Sequence, residues 1–165
     1  MKNTKVKKRL KRIQIRKYAP EDFDYLLKFL EEIDGDFYPP LSKRRELIQY
    51  LREDLINPNV TLVVEYDRNI IGVANLQLDC PSFGECYINT LGISAEHRRQ
   101  GLGSRLMTDI LNEAVILKYK KIKVRTWSTN KAGINLYTKF DFCIDHIIKN
   151  DRSHGVDSIY FWKKP

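Results

Sequence analysis

Between a predicted strand and a predicted helix lies the stretch Arg98-Arg99-Gln100-Gly101-Leu102-Gly103-Ser104. Residues 86–93 before it are typical of a strand, and after it apolar residues recur at three- and four-residue steps, which indicates an amphipathic helix. The first N–H groups of a helix have no partner within the helix, and glycine lets an anion approach the backbone. The stretch therefore predicts a phosphate cradle at the start of a helix.

The spacing of the glycines decides which phosphate loop this is. No Gly-Lys-Ser/Thr follows, so the Walker pattern fails, and Leu106 stands where the dinucleotide pattern needs its third glycine. The spacing Arg98-x-x-Gly101-x-Gly103 instead resembles the acetyl-CoA loop of the GNAT superfamily of N-acetyltransferases. On these residues alone, a plain strand-to-helix turn remains an open alternative.

A second stretch, residues 130–142, resembles the other signature of that superfamily, Asn-x-x-Ala-Ile-x-Leu-Tyr-x-Lys-x-Gly-Phe. The matching positions are Asn130, Ile134, Leu136, Tyr137, Lys139 and Phe142. Gly133 replaces the usual Ala, and Asp141 replaces a Gly in the turn after the helix, where Asp tolerates the left-handed conformation better than most residues. With two motifs in the family's order, the chain is identified as a member of the GNAT superfamily over about residues 12–163.

The periodicity along the chain predicts the element order β-α-α-β-β-β-α-β-α-β-β. The resemblance implies an α/β fold, with a mixed, largely antiparallel central sheet of about seven strands, flanked by four helices and splayed at the acetyl-CoA site. Ser42 is the expected N-cap of the second helix, which presents Leu47, Leu51 and Leu55 on one face. A polar loop, residues 150–155, is expected to join the last two strands.

Length and composition indicate one globular domain. The chain has 165 residues, of which 42% are hydrophobic and 30% charged. There is no run of about 18 apolar residues for a membrane span, and no apolar segment follows the basic start as in a signal peptide. Three cysteines without C-x-x-C spacing indicate reduced thiols in the cytoplasm rather than disulfides or a zinc site. We therefore expect a cytoplasmic protein with no membrane partner and no metal.

The net charge of +8 is concentrated at the N-terminus. Residues 1–17 hold nine of the 29 Lys and Arg and no acid, which leaves 20 basic and 21 acidic residues for the remainder. This distribution predicts a basic arm, residues 1–11, ahead of a single acetyltransferase domain, residues 12–165. Such an arm can bind nucleic acid. A solvated terminus is the favoured alternative.

The resemblance implies acetyl-CoA as cosubstrate. Backbone N–H groups of the loop would hold its pyrophosphate, the strand before the loop would pair with its pantetheine arm, and the Ile93 N–H would polarise the thioester carbonyl. Asn130 would contact the cofactor arm and cap the fourth helix. The predicted cofactor-binding residues are Leu91, Ile93, Arg98, Arg99, Gln100, Gly101, Leu102, Gly103, Ser104 and Asn130.

Two residues are candidates for proton transfer. Tyr137 matches the family tyrosine that protonates the leaving thiolate, with a core tyrosine as the alternative. Glu85, at the start of the strand that leads to the loop, is the candidate base, with an ordinary exposed glutamate as the alternative. His97, His146 and His154 are not expected to be catalytic.

The acceptor pocket is expected to contain Phe37, Tyr38 and Trp127, while Asp34 and Asp36 would attract a cationic amine. The expected reaction is direct attack of a primary amine, from a small molecule or a peptide, on acetyl-CoA in a ternary complex. The alternative is a non-catalytic regulatory GNAT-fold domain that binds CoA, or nucleic acid through the basic arm. Either a monomer or a homodimer fits the sequence.

Overall fold

A seven-stranded sheet forms the centre of the molecule. The computed structural model describes residues 13–56 and 58–165, so the predicted basic arm, residues 1–11, lies outside the described residues. The strands are β1 Gln14–Lys17, β2 Val60–Tyr66, β3 Asn69–Gln77, β4 Glu85–Ile93, β5 Lys121–Trp127, β6 Cys143–Ser153 and β7 Val156–Lys163. Their order across the sheet is β1-β2-β3-β4-β5-β7-β6.

Four helices cover the two faces of this sheet. They are α1 Phe23–Ile33, α2 Leu47–Gln49 with a π-helical continuation Tyr50–Ile56, α3 Leu102–Ile116 and α4 Lys131–Lys139. Strands β4 and β5 are parallel, and the other neighbouring strands are antiparallel. The predicted fold class and element order are therefore confirmed.

The apolar core consists of two clusters, one on each face of the sheet. On one face, Leu26 and Leu30 of α1 and Leu51 of the π-helical turn pack on β2 and β3. On the other face, α3 and α4 pack on the sheet through residues such as Leu106 and Tyr137. Burial of both faces explains why β3 is a nearly continuous apolar run rather than an alternating one.

The start of the second helix differs from the prediction. Ser42 is not its N-cap, because its backbone N–H and its hydroxyl donate to the carboxylate of Asp34 at 2.8 and 2.6 Å. Glu46 precedes the first helical residue instead. Ser42 and Asp34 therefore stabilise the loop between α1 and α2, and the expected apolar face remains, with Leu51 and Leu55 fully buried.

The hairpin that closes the sheet is longer than expected. Strand β6 continues to Ser153, so the expected loop 150–155 is mostly strand, and the turn is formed by His154 and Gly155. Gly155 has φ +78°, a conformation that glycine adopts without strain. Within the described ranges, no helix is both long and apolar enough to cross a membrane.

Candidate active site

The parallel strands β4 and β5 separate along their length. They pair from Glu85↔Lys121 to Ile88↔Val124, beyond which β4 pairs with β3 and β5 pairs with β7. The register of the β3–β4 ladder shifts so that Asn89 is skipped, which is a β-bulge at the point of separation. Bulges bend a strand and re-aim its side chains, and here the bend opens a gap within the sheet.

A cavity of about 1260 Å³ fills this gap. Most of the predicted site residues line it, namely Phe37, Leu91, Ile93, Arg98, Arg99, Gly101, Leu102, Gly103, Ser104, Trp127, Asn130 and Tyr137. Tyr38, Glu85 and Gln100 do not belong to its lining. The cavity is larger than the common range of about 300–1000 Å³ for small-molecule sites, so it has room for two ligands side by side.

The glycine loop meets the cavity with an open backbone. Gly101 has φ +79° and is the N-cap residue of α3, without a capping side chain among the described residues. The first helical hydrogen bond runs from the N–H of Arg105 to the carbonyl of Gly101, so the N–H groups of the three residues between them are left over. A Cβ atom added at Gly101 or Gly103 would meet no described protein atom within 4 Å. The loop is therefore able to accept an anion, as the CoA pyrophosphate requires.

The side chains of this loop divide into two groups. Arg98 donates its Nε to the carbonyl of Ile93 at 2.9 Å and pairs through Nη2 with Asp36, so it fixes the loop to the end of β4. The side-chain amide of Gln100 donates a hydrogen bond to the backbone carbonyl of Glu96. The exposed Arg99 lines the cavity, and Lys139 donates to the hydroxyl of Ser104 at 3.1 Å. Arg99 and Lys139 thus supply positive charge near the start of α3.

The end of β4 presents backbone groups to the gap. The N–H of Ser94 donates to the carbonyl of Ile71 on the β3 side at 2.9 Å. Because consecutive N–H groups of a strand point to opposite sides, the N–H of Ile93 points into the gap, and that of Leu91 does the same. These are the groups that an extended ligand would use to pair with the strand.

Asn130 holds the start of α4 beside the cavity. Its Oδ1 accepts from the N–H of Gly133 at 3.0 Å, and its Nδ2 donates to Oγ1 of the buried Thr126 at 2.9 Å. A Cβ atom at Gly133 would lie 2.5 Å from Nδ2 of Asn130. The Asn130 side chain would therefore have to shift to admit a Cβ atom at position 133.

Tyr137 lies in the wall of the cavity. Its side chain packs between Phe142 and Phe161, with ring centroids 5.9 and 5.6 Å away, and the residue is 7% exposed. Its hydroxyl has no hydrogen-bond partner within residues 13–56 and 58–165. Burial raises the pKa of Tyr137 far above its ordinary value near 10. The phenol therefore keeps its proton at neutral pH.

Glu85 and Tyr38 are committed to other contacts. Glu85 pairs with Lys123 at 2.8 Å and accepts from the Ser82 hydroxyl at 3.1 Å. The Lys123 contact lowers the pKa of the Glu85 carboxyl, which makes it a weaker base. The hydroxyl of Tyr38 donates to Oγ of Ser153 at 2.7 Å, so it joins the inter-helix loop to β6. The geometry gives no support to Glu85 as base or to Tyr38 as a wall of the acceptor pocket.

The acceptor side of the cavity also differs from the expectation of an acidic entrance. Asp34, which accepts two hydrogen bonds from Ser42, is outside the cavity lining, and Asp36, which lines the cavity, forms an ion pair with Arg98. Phe37 and Trp127 do come together, with ring centroids 6.4 Å apart. The sequence reasoning missed other residues that share this cavity, among them Arg44, Tyr87, Arg125, His146, Arg152 and Tyr160. Strand alternation was the available signal for Arg125, because it lies two residues from Trp127 and shares its face.

Comparisons with known proteins agree with this geometry. The sequence model of the acetyltransferase (GNAT) family matches residues 26–142. A GCN5-related N-acetyltransferase from Kribbella flavida superposes with a TM-score of 0.81 at 18% identity, over 93% of this chain and 98% of that chain. An N-acetyltransferase from Staphylococcus aureus Mu50 gives 0.78 at 20% identity over 93% and 98%.

A structure from Salmonella typhimurium that contains its cofactor acetyl-CoA superposes with a TM-score of 0.76 at 17% identity, over 93% of this chain and 94% of that chain. A search of curated proteins finds no match. At these identities the solved structures support the fold alone. The family model covers more than half of the chain and therefore establishes the family. The chain therefore belongs to the GNAT family of acetyltransferases.

Proposed function

We propose that this protein is an N-acetyltransferase that transfers an acetyl group from acetyl-CoA to a primary amine in a ternary complex. One observation carries the proposal: an uncapped, glycine-lined helix start and the buried residue Tyr137 line one cavity in the gap between β4 and β5. A phosphate cradle and a protonated phenol in one cavity suit a ligand with an anionic end and a reacting thioester end.

The residues that would hold acetyl-CoA fit it on three counts. The N–H groups of Leu102, Gly103 and Ser104 are free for phosphate oxygens, and the open space at the two glycines lets those oxygens approach. Arg99 and Lys139 add positive charge there. The N–H groups of Leu91 and Ile93 are available to an extended arm along β4.

Bound acetyl-CoA supplies the acetyl group as a thioester, which an unprotonated amine attacks so that a carbon–nitrogen bond replaces the carbon–sulfur bond. The Ile93 N–H would hold the carbonyl oxygen on which negative charge develops. The Oη of Tyr137 would give its proton to the departing sulfur, and the proton that the attacking nitrogen loses would pass to solvent, from which the phenol is restored. Burial of the residue raises the pKa of Tyr137, so the phenol is protonated beforehand. Asn130 positions α4, and with it Tyr137, relative to β5 through Thr126.

The test combines calorimetry of acetyl-CoA binding with a screen of amines, amino acids, aminoglycosides and peptides for acceptor-dependent release of CoA. We expect acetyl-CoA to bind and at least one amine to be acetylated, with the N-acetyl product identified by mass spectrometry. Absence of acetyl-CoA binding would overturn the cofactor assignment. Binding without acetylation of any amine class would overturn the N-acetyltransferase assignment and favour a non-catalytic CoA-binding role.

A further inference from the structure

Three arginines from separate elements line the cavity. Arg44 precedes α2, Arg125 lies in β5, and Arg152 lies near the end of β6. The three are close enough to influence one another, since burial and then the charges of Arg125 and Arg44 lower the pKa of Arg152. Like charges repel, so three guanidinium groups around one cavity create a positive potential that favours binding of an anion there.

No carboxylate of the described chain forms an ion pair with these arginines. Arg44 donates to the carbonyl of Pro39, Arg125 to the hydroxyl of Tyr160, and Arg152 to the hydroxyl of Ser158 and the carbonyl of Tyr38. The contrast lies within the same molecule: Arg16, Arg45 and Arg98 all form ion pairs with aspartate or glutamate.

The acids nearest to this cluster have other partners. Asp145, which lines the cavity, accepts a hydrogen bond from His146. Asp151 is outside the cavity lining and accepts from the hydroxyl of Ser158, and its negative charge favours the charged forms of Arg125 and Arg152 without forming an ion pair with either. Among the described residues that line the cavity, seven are Lys or Arg and two are aspartates, so the charge of its wall is predominantly positive.

The arginine cluster is separate from the phosphate cradle. In β5, Ile122 and Val124 are buried in the core beneath α3 and α4, so Arg125 points to the opposite face, the one covered by α1 and α2. The glycine loop begins α3 and therefore belongs to the first of these faces. Acetyl-CoA with its phosphates at the glycine loop would extend through the gap between β4 and β5. The three arginines would then face the amine acceptor.

We propose that the amine acceptor carries an anionic group, a carboxylate or a phosphate, that is bound by the guanidinium groups of Arg44, Arg125 and Arg152. This inference rests on the proposed N-acetyltransferase function. Guanidinium groups bind either anion with paired, charge-assisted hydrogen bonds. The same positive charge disfavours the ammonium form of the acceptor, so the cluster also promotes the neutral amine that attacks. Polyamines and aminoglycosides are repelled.

The test uses pairs of amines that differ in the anionic group alone. O-phosphoethanolamine is compared with ethanolamine, and β-alanine with β-alaninamide, which separates a phosphate preference from a carboxylate preference, and spermidine serves as the cationic acceptor. CoA release gives kcat/KM, and calorimetry on the CoA-saturated protein gives binding without turnover. We expect the anionic member of at least one pair to be favoured about tenfold or more.

The variants Arg125→Gln and Arg152→Gln should each remove most of that preference, chiefly by raising the KM of the anionic member. Arg125→Gln is needed as a second variant because Arg152 also donates to the carbonyl of Tyr38, so Arg152→Gln can disturb the loop between α1 and α2. The matched control is Arg45→Gln, one residue from Arg44 but ion-paired with Glu53 and outside the cavity lining, and it should keep the preference.

Equal or better use of the neutral member in both pairs, or better use of spermidine than of either anionic acceptor, would overturn the anionic-acceptor proposal while leaving the N-acetyltransferase function standing. Should the panel show no turnover, calorimetry decides: the proposal stands if anionic members alone bind the CoA complex and both variants weaken them. It falls if neither anion binds or if the neutral partners bind equally. Failure of acetyl-CoA itself to bind would instead contradict the proposed N-acetyltransferase function.

Discussion

The backbone N–H of Phe142 donates to the carbonyl of Tyr137 at 3.1 Å, and the rings of the same two residues meet edge to face 5.9 Å apart. The N–H of Asp141 donates to the carbonyl of Thr138, also at 3.1 Å, and Asp141 has φ +59°. This combination is a Schellman motif with its apolar contact. The last turn of α4 is thus held through Tyr137, which lines the cavity.

The first prediction concerns that turn. Glycine adopts a positive φ without the clash that a Cβ atom causes, so Asp141→Gly should raise the free energy of unfolding by about 0.5–1 kcal/mol. Urea unfolding followed by circular dichroism measures the change. Asp141→Ala is the matched control, because it keeps the Cβ atom and loses the carboxylate, and it should not stabilise the protein. An unfolding free energy that falls in Asp141→Gly would contradict this account.

Local motifs at this site were predictable from sequence. Asn130 at the cap, the apolar face of α4 and the tolerance of Asp141 for a left-handed conformation all depend on residues within one turn of each other. The start of α2 was not predictable, because Ser42 is a good N-cap residue whose groups are taken by Asp34, eight positions away. Capping preferences do not include such a competing partner.

The acceptor side was harder to predict for a related reason. Arg44, Arg125 and Arg152 meet only because β7 inserts between β5 and β6 and because β4 bends at Asn89. Neither feature leaves a periodic signal in the sequence. The same holds for Glu85, whose position beside Lys123 depends on the parallel register of β4 and β5.

The second prediction tests the phosphate cradle at Gly103. This position is preferable to Gly101, whose positive φ would strain any substituted residue whether or not a ligand binds there. A branched side chain in Gly103→Val would cover the N–H groups at the start of α3 and should weaken acetyl-CoA binding about tenfold or more in calorimetry. Gly103→Ala adds only a methyl group, which meets no described protein atom within 4 Å, and should keep most of the affinity. Unchanged affinity in the Val variant would refute the cradle.

The third prediction concerns the N-terminal arm. The first described strand begins at Gln14, and the cavity lining among the described residues begins at Ile33. Deletion of residues 1–10 should therefore leave acetyl-CoA affinity and kcat unchanged. Steady-state kinetics of the truncated and full-length chains make the comparison. A large loss of kcat would give the arm a functional role, and salt-sensitive nucleic-acid binding by the full-length chain alone would support the alternative binding function.

The fourth prediction concerns pH. The acid role needs the protonated phenol. Because burial raises the pKa of Tyr137 above 10, the phenol loses its proton only at a higher pH than a free tyrosine does. With both substrates saturating, kcat should not decline between pH 8 and 10 through ionisation of this residue. The pH profile of kcat, with enzyme stability checked at each pH, measures this. A decline with a midpoint below pH 10 that is absent from Tyr137→Phe would contradict the prediction.

The last prediction removes the hydroxyl of Tyr137. In Tyr137→Phe the ring can keep its contacts with Phe142 and Phe161, and since the hydroxyl has no described protein partner, its loss leaves no group unsatisfied. Stability and acetyl-CoA affinity should therefore change little. General acid assistance is worth about 10²–10⁴ in rate, and kcat should fall by about that factor.

Tyr25→Phe is the matched control, because Tyr25 is 49% exposed and outside the cavity lining, and it should turn over like the wild type. The pre-steady-state rate of acetyl transfer must accompany kcat, since slow product release would conceal a slower chemical step. Wild-type rates in both measurements, on an acceptor that the native enzyme uses, would leave Tyr137 as a packing residue. A fall in kcat with unchanged acetyl-CoA binding would instead place the proton donor at its Oη, because no other atom differs between the two proteins.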